Sequence, residues 1–283
     1  MSRRVVGPFN RVEGDLEVSL EIENGIVQGA YVNAPMYRGF EQILRGKLPL
    51  DALTLTPRIC GICSVSQSVA CAESLRDAMG LTMPPNGRRA INLILANENL
   101  ADHFTHFYLF FMPDFARASY ANKKWHASVQ QRFQAMGGEA AREAVAVRAG
   151  FLNIMGYLAG KWPHTLSIQP GGSSRSIEQA EKMRLFTLLK EFRSYLEKRM
   201  FGTPLEVIGE LSNLKELQTW MDERPATSSD FRLFLEVADD LQLDSLGRAT
   251  DHFMSYGTYV QEDGALFRRG TWRDGAARNS LIN

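Results

Sequence analysis

Residues 15 to 34 alternate apolar and polar positions, with Leu16, Val18, Leu20 and Ile22 in one run and Ile26, Ala30 and Val32 in the next. Period-two alternation marks strands that bury one face, and Asn24 and Gly25 between the runs both tolerate positive φ. The pattern predicts a hairpin within a small N-terminal antiparallel sheet. From residue 64 the period lengthens to that of a helix, with Val65, Val69, Ala72, Leu75 and Met79 leading to Gly80, a residue suited to a left-handed stop. Between Pro85 and Pro113, the positions Ile94, Ala101, Phe104, Tyr108 and Phe111 predict one long, largely buried helix over 86–112. Further helices are predicted over 128–158 and 176–200. The second opens with Ser176 and Gln179 in capping-box spacing and stops at Gly202 and Pro204. Shorter helices are predicted over 212–222 and 228–241, and a second hairpin around Asp263 and Gly264. The fold class that follows is α+β, mainly helical: a long-helix bundle core with a small N-terminal antiparallel sheet, in a single domain over 1–283.

Composition narrows the function classes. Lys plus Arg and Asp plus Glu number 32 each, so no net charge steers the chain toward nucleic acid or an acidic membrane surface. No stretch approaches eighteen uninterrupted apolar residues, and the run around Leu109 to Met112 ends at Pro113, so direct membrane insertion is not expected. Three cysteines do not make a disulfide framework, and the residues after Met1 lack the apolar run of a signal peptide. These features point to a reducing compartment, hence a cytoplasmic location.

Two of those cysteines, Cys60 and Cys63, stand three apart in "TPRICGICSVSQSVACAES", in the loop and first turn entering the helix that begins near residue 64. A CxxC in such a chain is open to several uses: half of a zinc site, a redox pair, part of an iron–sulfur site, or two unrelated buried thiols. No second CxxC or tightly spaced histidine pair completes a zinc site, and no βαβ unit supports a thioredoxin-like reading. His103 and His106 share a helix amid Phe104, Phe107 and Tyr108 and read as capped core residues. Arg58 places a cation near the thiolates, and Gly61 leaves room for a metal to approach the backbone. Soft thiolate donors suit nickel, iron or zinc without choosing among them.

Five blocks in order, "RVEGDLEV" (11–18), "YRGFEQILRGK" (37–47), "RICGICSVSQSVACAE" (58–73), "NENLADHFTHFYLF" (97–110) and "HTLSIQPGG" (164–172), resemble the N-terminal half of the large subunit of nickel–iron hydrogenases. The resemblance implies a dinuclear Ni–Fe centre with carbon monoxide and cyanide on iron, held by four cysteine thiolates. Cys60 would be a terminal nickel ligand and Cys63 a nickel–iron bridge, with the second CxxC of the family's C-terminal part absent from this chain. Dihydrogen would be the substrate, an iron–sulfur small subunit the partner, and its clusters the electron acceptors. Glu13 matches a carboxylate that passes protons outward, with Asp15 where relatives often have histidine. Glu41 matches a carboxylate that helps bind magnesium, while Arg58 and Gln67 match groups around the thiolates.

Gln67 stands where most catalytic members have histidine, and Ile62 and Phe110 match bulky residues that narrow the gas path in dihydrogen-sensing members. The resemblance therefore implies a regulatory sensor coupled to a histidine kinase, with an uptake enzyme or an inactive truncated remnant as alternatives. The quinone-site subunit of respiratory complex I shares this fold without the cysteines, and both are present here. Without the resemblance, Ile62 is an ordinary loop aliphatic, Phe110 one more core aromatic, Glu13 a surface carboxylate, Glu41 an exposed helix residue, and Cys71 a buried structural thiol. "QPGGSS" lacks the GK[ST] ending of a phosphate loop, so Gly171 and Gly172 are expected to form a turn. A chain holding half of such a subunit is expected to expose apolar surface and to be poorly soluble in isolation.

Overall fold

The structure, a computed structural model, describes residues 2–9, 14–247, 250–261, 263–273 and the backbone of 276–278. Where the sequence reads as one domain, the chain separates into two compact units, Met1–Leu48 and Pro49–Asn283.

The first unit is the expected sheet, enlarged by one strand. Strands β1 (Ser2–Phe9), β2 (Leu16–Glu23) and β3 (Ile26–Asn33) lie antiparallel in the order β1-β2-β3. The hairpin turns at Asn24 and Gly25 with φ of 53° and 78°, the positive values the dipeptide supplies at little cost. β1 escaped the hydrophobic pattern because all eight of its residues are exposed, so no buried face imposes alternation. Val6, Val18 and Val32 meet across the three strands. Helix α1 (Phe40–Leu44) follows, entered through Gly39 in the left-handed conformation.

The second unit is helical. After the single turn α2 (Ala52–Leu55) come α3 (Ser64–Ala78) and α4 (Pro85–Thr105). The long helix predicted to Met112 does continue, but as a wider π turn over His106–Phe111 and a tight turn over Met112–Ala116 around Pro113. Its buried face carries Ile91, Ile94, Leu95, Ala101 and Phe104. One helix predicted over 128–158 is instead two, α5 (His126–Phe133) and α6 (Glu139–Ala159). Met136 at φ 65° and extended Gly138 break the path, and Gly138 becomes the residue that opens α6.

The hairpin of β4 (Ile168–Gln169) and β5 (Gly172–Ser173) turns through Pro170 and Gly171, as the turn reading expected. Gly172 seats this hairpin against the start of α4: a Cβ on it would lie 2.6 Å from Gly87 Cα. Helix α7 (Gln179–Tyr195) opens three residues later than predicted, because Glu178 and Glu181 form the capping box in place of Ser176 and Gln179. It ends in a π turn over Leu196–Met200 before Gly202 at φ 68°.

Helices α8 (Leu205–Glu210), α9 (Leu214–Asp222) and α10 (Asp230–Leu241) follow, the last two capped by the side chains of Asn213 and Ser229. Strands β6 (Phe253–Ser255), β7 (Thr258–Gln261), β8 (Gly264–Phe267), β9 (Gly270–Arg273) and β10 (Ala276–Arg278) complete the chain. β7 and β8 form the second predicted hairpin, and β6, β9 and β10 a sheet of order β10-β9-β6. Among the described residues no helix is long and apolar enough to cross a membrane.

The core lies where α4, α6 and α7 pack, with Phe104, Phe151 and Phe192 at its centre and the rings of Phe151 and Phe192 stacked at 3.9 Å. At the end of α4 an ionic cluster fastens α5 and α10. Asp230 accepts from Arg132 Nε at 2.8 Å, from Arg132 Nη2 at 2.9 Å and from Tyr108 Oη at 2.8 Å. Arg132 Nη2 also reaches Glu143 of α6 at 2.8 Å.

Candidate metal centre

Cys60 and Cys63 lie in the short loop between the turn at Thr56–Arg58 and α3, with Cys63 the residue that opens the helix. The Cys63 amide donates to Cys60 Sγ at 3.3 Å, and Gln67 Nε2 donates to Cys63 Sγ at 3.6 Å. One turn of helix separates Gln67 from Cys63, which is why the amide reaches back to the sulfur. Both thiols are free and half-buried. Nothing lies within 4 Å of where a Gly61 side chain would begin, so the loop is open there. Burial pushes the Cys63 thiol up to about 11, the neighbouring Cys60 thiol and the Glu98 charge add to this, and the Gln67 hydrogen bond opposes it.

The loop is fixed by residues to which the sequence alone gave no role. Glu98 of α4, only 2% exposed, accepts from the backbone amides of Val65 and Ser66 at 2.9 Å each. It also accepts from Ser64 Oγ at 3.4 Å, Ser66 Oγ at 3.2 Å and Trp162 Nε1 at 2.9 Å. A carboxylate at the positive end of α3 satisfies the amides that have no partner within the helix. His164, at φ 61°, donates its backbone N–H to Ser64 Oγ at 3.2 Å, and its Nδ1 lies 2.9 Å from the Pro57 carbonyl. The loop is thereby held on both sides. Glu98 had one sequence signal: a carboxylate in the apolar stripe of Ile91, Ile94, Leu95 and Ala101 is out of place unless a partner awaits it.

Glu13 lies outside the described residues. Glu41 stands exposed on α1 in the first unit, accepting from Tyr37 Oη at 3.5 Å. Arg58 is exposed in the turn before Cys60, and Ile62 is 49% exposed between the cysteines. Phe110, on the π turn, is 42% exposed rather than one more core aromatic. His103 and His106, read as capped core residues, both face outward, because they fall off the buried stripe of α4. Cys71 is half-buried against the core.

Donor chemistry decides what the loop can hold. Two thiols joined by one amide contact, with a side-chain amide on the second sulfur, fit two positions of a soft-metal site. Among the described residues no group of three or more His, Cys, Asp or Glu could hold a metal ion alone. The loop therefore offers two thiol donors of a soft-metal site, and any further ligands would come from elsewhere.

Residues 38–146 match the family model described as nickel-dependent hydrogenase. The Hydrogenase-2 large chain of Escherichia coli strain K12 is 37% identical over 109 residues, which is 38% of this chain and 19% of that one. The periplasmic [NiFeSe] hydrogenase large subunit of Desulfomicrobium baculatum is 30% identical over 192 residues, covering 63% and 37%. The uptake hydrogenase large subunit of Rhodobacter capsulatus is 36% identical over 107 residues, covering 38% and 18%. Among solved structures, the Ni-Fe-Se hydrogenase of D. vulgaris Hildenborough in the reduced state superposes with a TM-score of 0.71 at 23% identity, over 99% of this chain and 54% of that one. That likeness establishes the fold, part of the nickel–iron hydrogenase large-subunit fold. The chain spans about half of this solved relative and less than half of the curated relatives it matches. The likeness to nickel-dependent hydrogenases is carried by residues 38–146 and, in the relatives named, by part of their length.

Proposed function

We propose that this chain supplies the N-terminal portion of a nickel–iron hydrogenase large subunit, with Cys60 and Cys63 as two of the four thiolates of its centre. The observation that carries the reading is the convergence of both thiols and the Gln67 amide in one open loop. When bound, the centre would split dihydrogen heterolytically, with iron carrying carbon monoxide and cyanide. Cys60 and Cys63 bind it as thiolates, so loading displaces a proton from Cys63. Gln67 orients the Cys63 sulfur through its amide. Arg58 adds positive charge ahead of the thiolates. Glu13 would hold a proton from the centre and pass it outward, a role that needs a base of adjustable pKa. Glu41 contributes one oxygen to a magnesium ion that needs others from the remainder of the protein. The iron–sulfur clusters of a partner small subunit would take up the electrons.

Within that family the proposal is a regulatory, cytoplasmic dihydrogen sensor that engages a histidine kinase. Gln67 in place of a histidine, and Ile62 and Phe110 as bulky residues on a gas path, support it. A catalytic uptake enzyme is the second reading, favoured by the relatives named as uptake hydrogenases. The relative named periplasmic favours an exported location with it. Turnover and kinase binding separate the two readings.

The test of the centre is infrared spectroscopy of the anaerobically purified full-length protein. Stretches from iron-bound carbon monoxide and cyanide are expected, and are expected to vanish in Cys60→Ser and Cys63→Ser. Their absence from a protein with no bound nickel would sink the reading.

A further inference from the structure

The carboxylate of Glu98 is the one acidic group in the cysteine-loop contacts described above, and no member of the proposed centre accounts for it. Five donors converge on it: two backbone amides, two hydroxyls and one indole N–H. All are donors, which an acceptor-only carboxylate satisfies and an amide would not. Three come from Ser64, Val65 and Ser66 by way of one hydroxyl and two amides, and a fourth from the Ser66 hydroxyl, so the first turn of α3 is gripped at every residue. Cys63 is the residue immediately before that turn. The direction of its Cα–Cβ bond follows from the backbone of the turn, and Gln67 fixes the sulfur from one turn further along.

The fifth donor, Trp162, lies beside His164, which binds the carbonyl of Pro57 and the hydroxyl of Ser64. Both ends of the cysteine loop, at Pro57 and at Ser64, are therefore tied to the buried carboxylate and its neighbours. We infer that Glu98 is the positioning residue of the cysteine loop, setting where the Cys63 sulfur points by fixing the first turn of α3 from a buried place on α4. The inference rests on the metal-binding reading of Cys60 and Cys63 for its purpose, though not for its geometry.

The experiment uses the full chain as wild type, Glu98→Ala, Glu98→Gln and Asn97→Ala. Asn97 is buried on the same helix and donates to the Phe151 carbonyl at 3.2 Å, so its variant reports general loss of packing without touching the loop. Two readouts are taken after matching the variants for thermal stability. The first is peptide-resolved alkylation by iodoacetamide, as the ratio of Cys63 to Cys71. Glu98→Ala should change that ratio at least about threefold, and Glu98→Gln less, because it keeps one acceptor oxygen. Asn97→Ala should leave the ratio as in wild type. The second is titration with Co2+ alone, read by the thiolate-to-cobalt charge-transfer band, where Glu98→Ala should bind at least about tenfold more weakly than Asn97→Ala.

An unchanged alkylation ratio in Glu98→Ala, or an equal change in Asn97→Ala, overturns the positioning role and leaves the metal reading standing. A full-length wild type that shows neither a cobalt band nor the stretches of iron-bound carbon monoxide and cyanide, while the ratio responds to Glu98→Ala, overturns the metal reading and supports the positioning role.

Discussion

Tyr108 and Glu98 project from one continuous helical path, and each anchors a polar cluster, but the two clusters are built differently. The Tyr108 cluster is closed: Arg132 is balanced by Asp230 and Glu143, with side-chain exposures of 12%, 8% and 30%. Burial opposes the charge of Arg132, and the hydrogen bonds of Asp230 and Glu143 outweigh it and raise its pKa. Burial also pushes the Tyr108 phenol far up, with the Asp230 charge adding to it, so this hydroxyl stays a donor. Each charged group there faces one of opposite sign, although Arg132 Nη1 makes no hydrogen bond among the described residues and lies 3.8 Å from Glu139. The Glu98 cluster satisfies its carboxylate with neutral donors but leaves two half-buried thiols at its edge with binding capacity to spare. Charge balance marks a fastening; unspent donor capacity at a rigid edge marks a site.

The contrast is tested hardest by Asp230→Ala. It strands Arg132 in the interior without two of its hydrogen bonds and takes the acceptor from Tyr108, and breaking one partner of a buried pair costs about 3–5 kcal/mol. Urea denaturation should show that loss as a lower midpoint with unchanged slope. A loss under 1 kcal/mol, on the order of an exposed pair, would mean the cluster is not a fastening.

Acid presses on the same kind of contact. For Glu143 and Glu73 burial opposes ionisation, yet the hydrogen bonds from Arg132 and Arg88 respectively outweigh it and hold both carboxyls below their usual range. Folded-state values below the unfolded ones give stability that is present above the ordinary carboxylate pKa and lost as pH falls through the depressed one. Each group then contributes a slope of at most about 1.4 kcal/mol per pH unit. Thermal melts between pH 7 and 3 should decline only toward the acid end, and Glu143→Gln should flatten part of that decline.

How far each cluster was legible in the sequence follows from how local its contacts are. The Asn24-Gly25 turn and the cysteine pair were read because their partners lie within a few residues. The capping box at Glu178 and Glu181 was misplaced because Ser176 and Gln179 offer the same spacing two residues earlier. The break at Gly138 was hidden by the Ala- and Glu-rich run that resumes helical periodicity at once. His103 and His106 were assigned to the core by their aromatic neighbours in sequence, whereas the helix turns those neighbours to a different side. Glu98 was passed over because the amides it binds lie on another helix, and its place in an apolar stripe signals a partner without saying which.

Trp162→Phe sharpens the comparison from the loop side. It removes one of five donors to Glu98 and keeps an aromatic face for Arg148, whose guanidinium lies 5.2 Å from the Trp162 ring. Loss of one hydrogen bond with the acceptor still served by four others should cost about 1 kcal/mol. A cost equal to that of Asp230→Ala would erase the difference between the clusters.

The smallest expected effect is the most telling. Cys63→Ser replaces a half-buried sulfur with an oxygen that can accept the Gln67 hydrogen bond. Cys63 holds the N-cap position of α3 without a side-chain cap bond, and serine suits that position, so stability in urea should not fall more than about 0.5 kcal/mol below wild type. Cobalt binding should disappear, because the remaining loop thiol is a single donor and the described residues offer no other cluster. A thiol kept for packing would give the reverse, a measurable loss of stability with metal binding unchanged. The two measurements on one variant therefore separate a ligand from a filler at the position where the fold invests least and the proposed chemistry asks most.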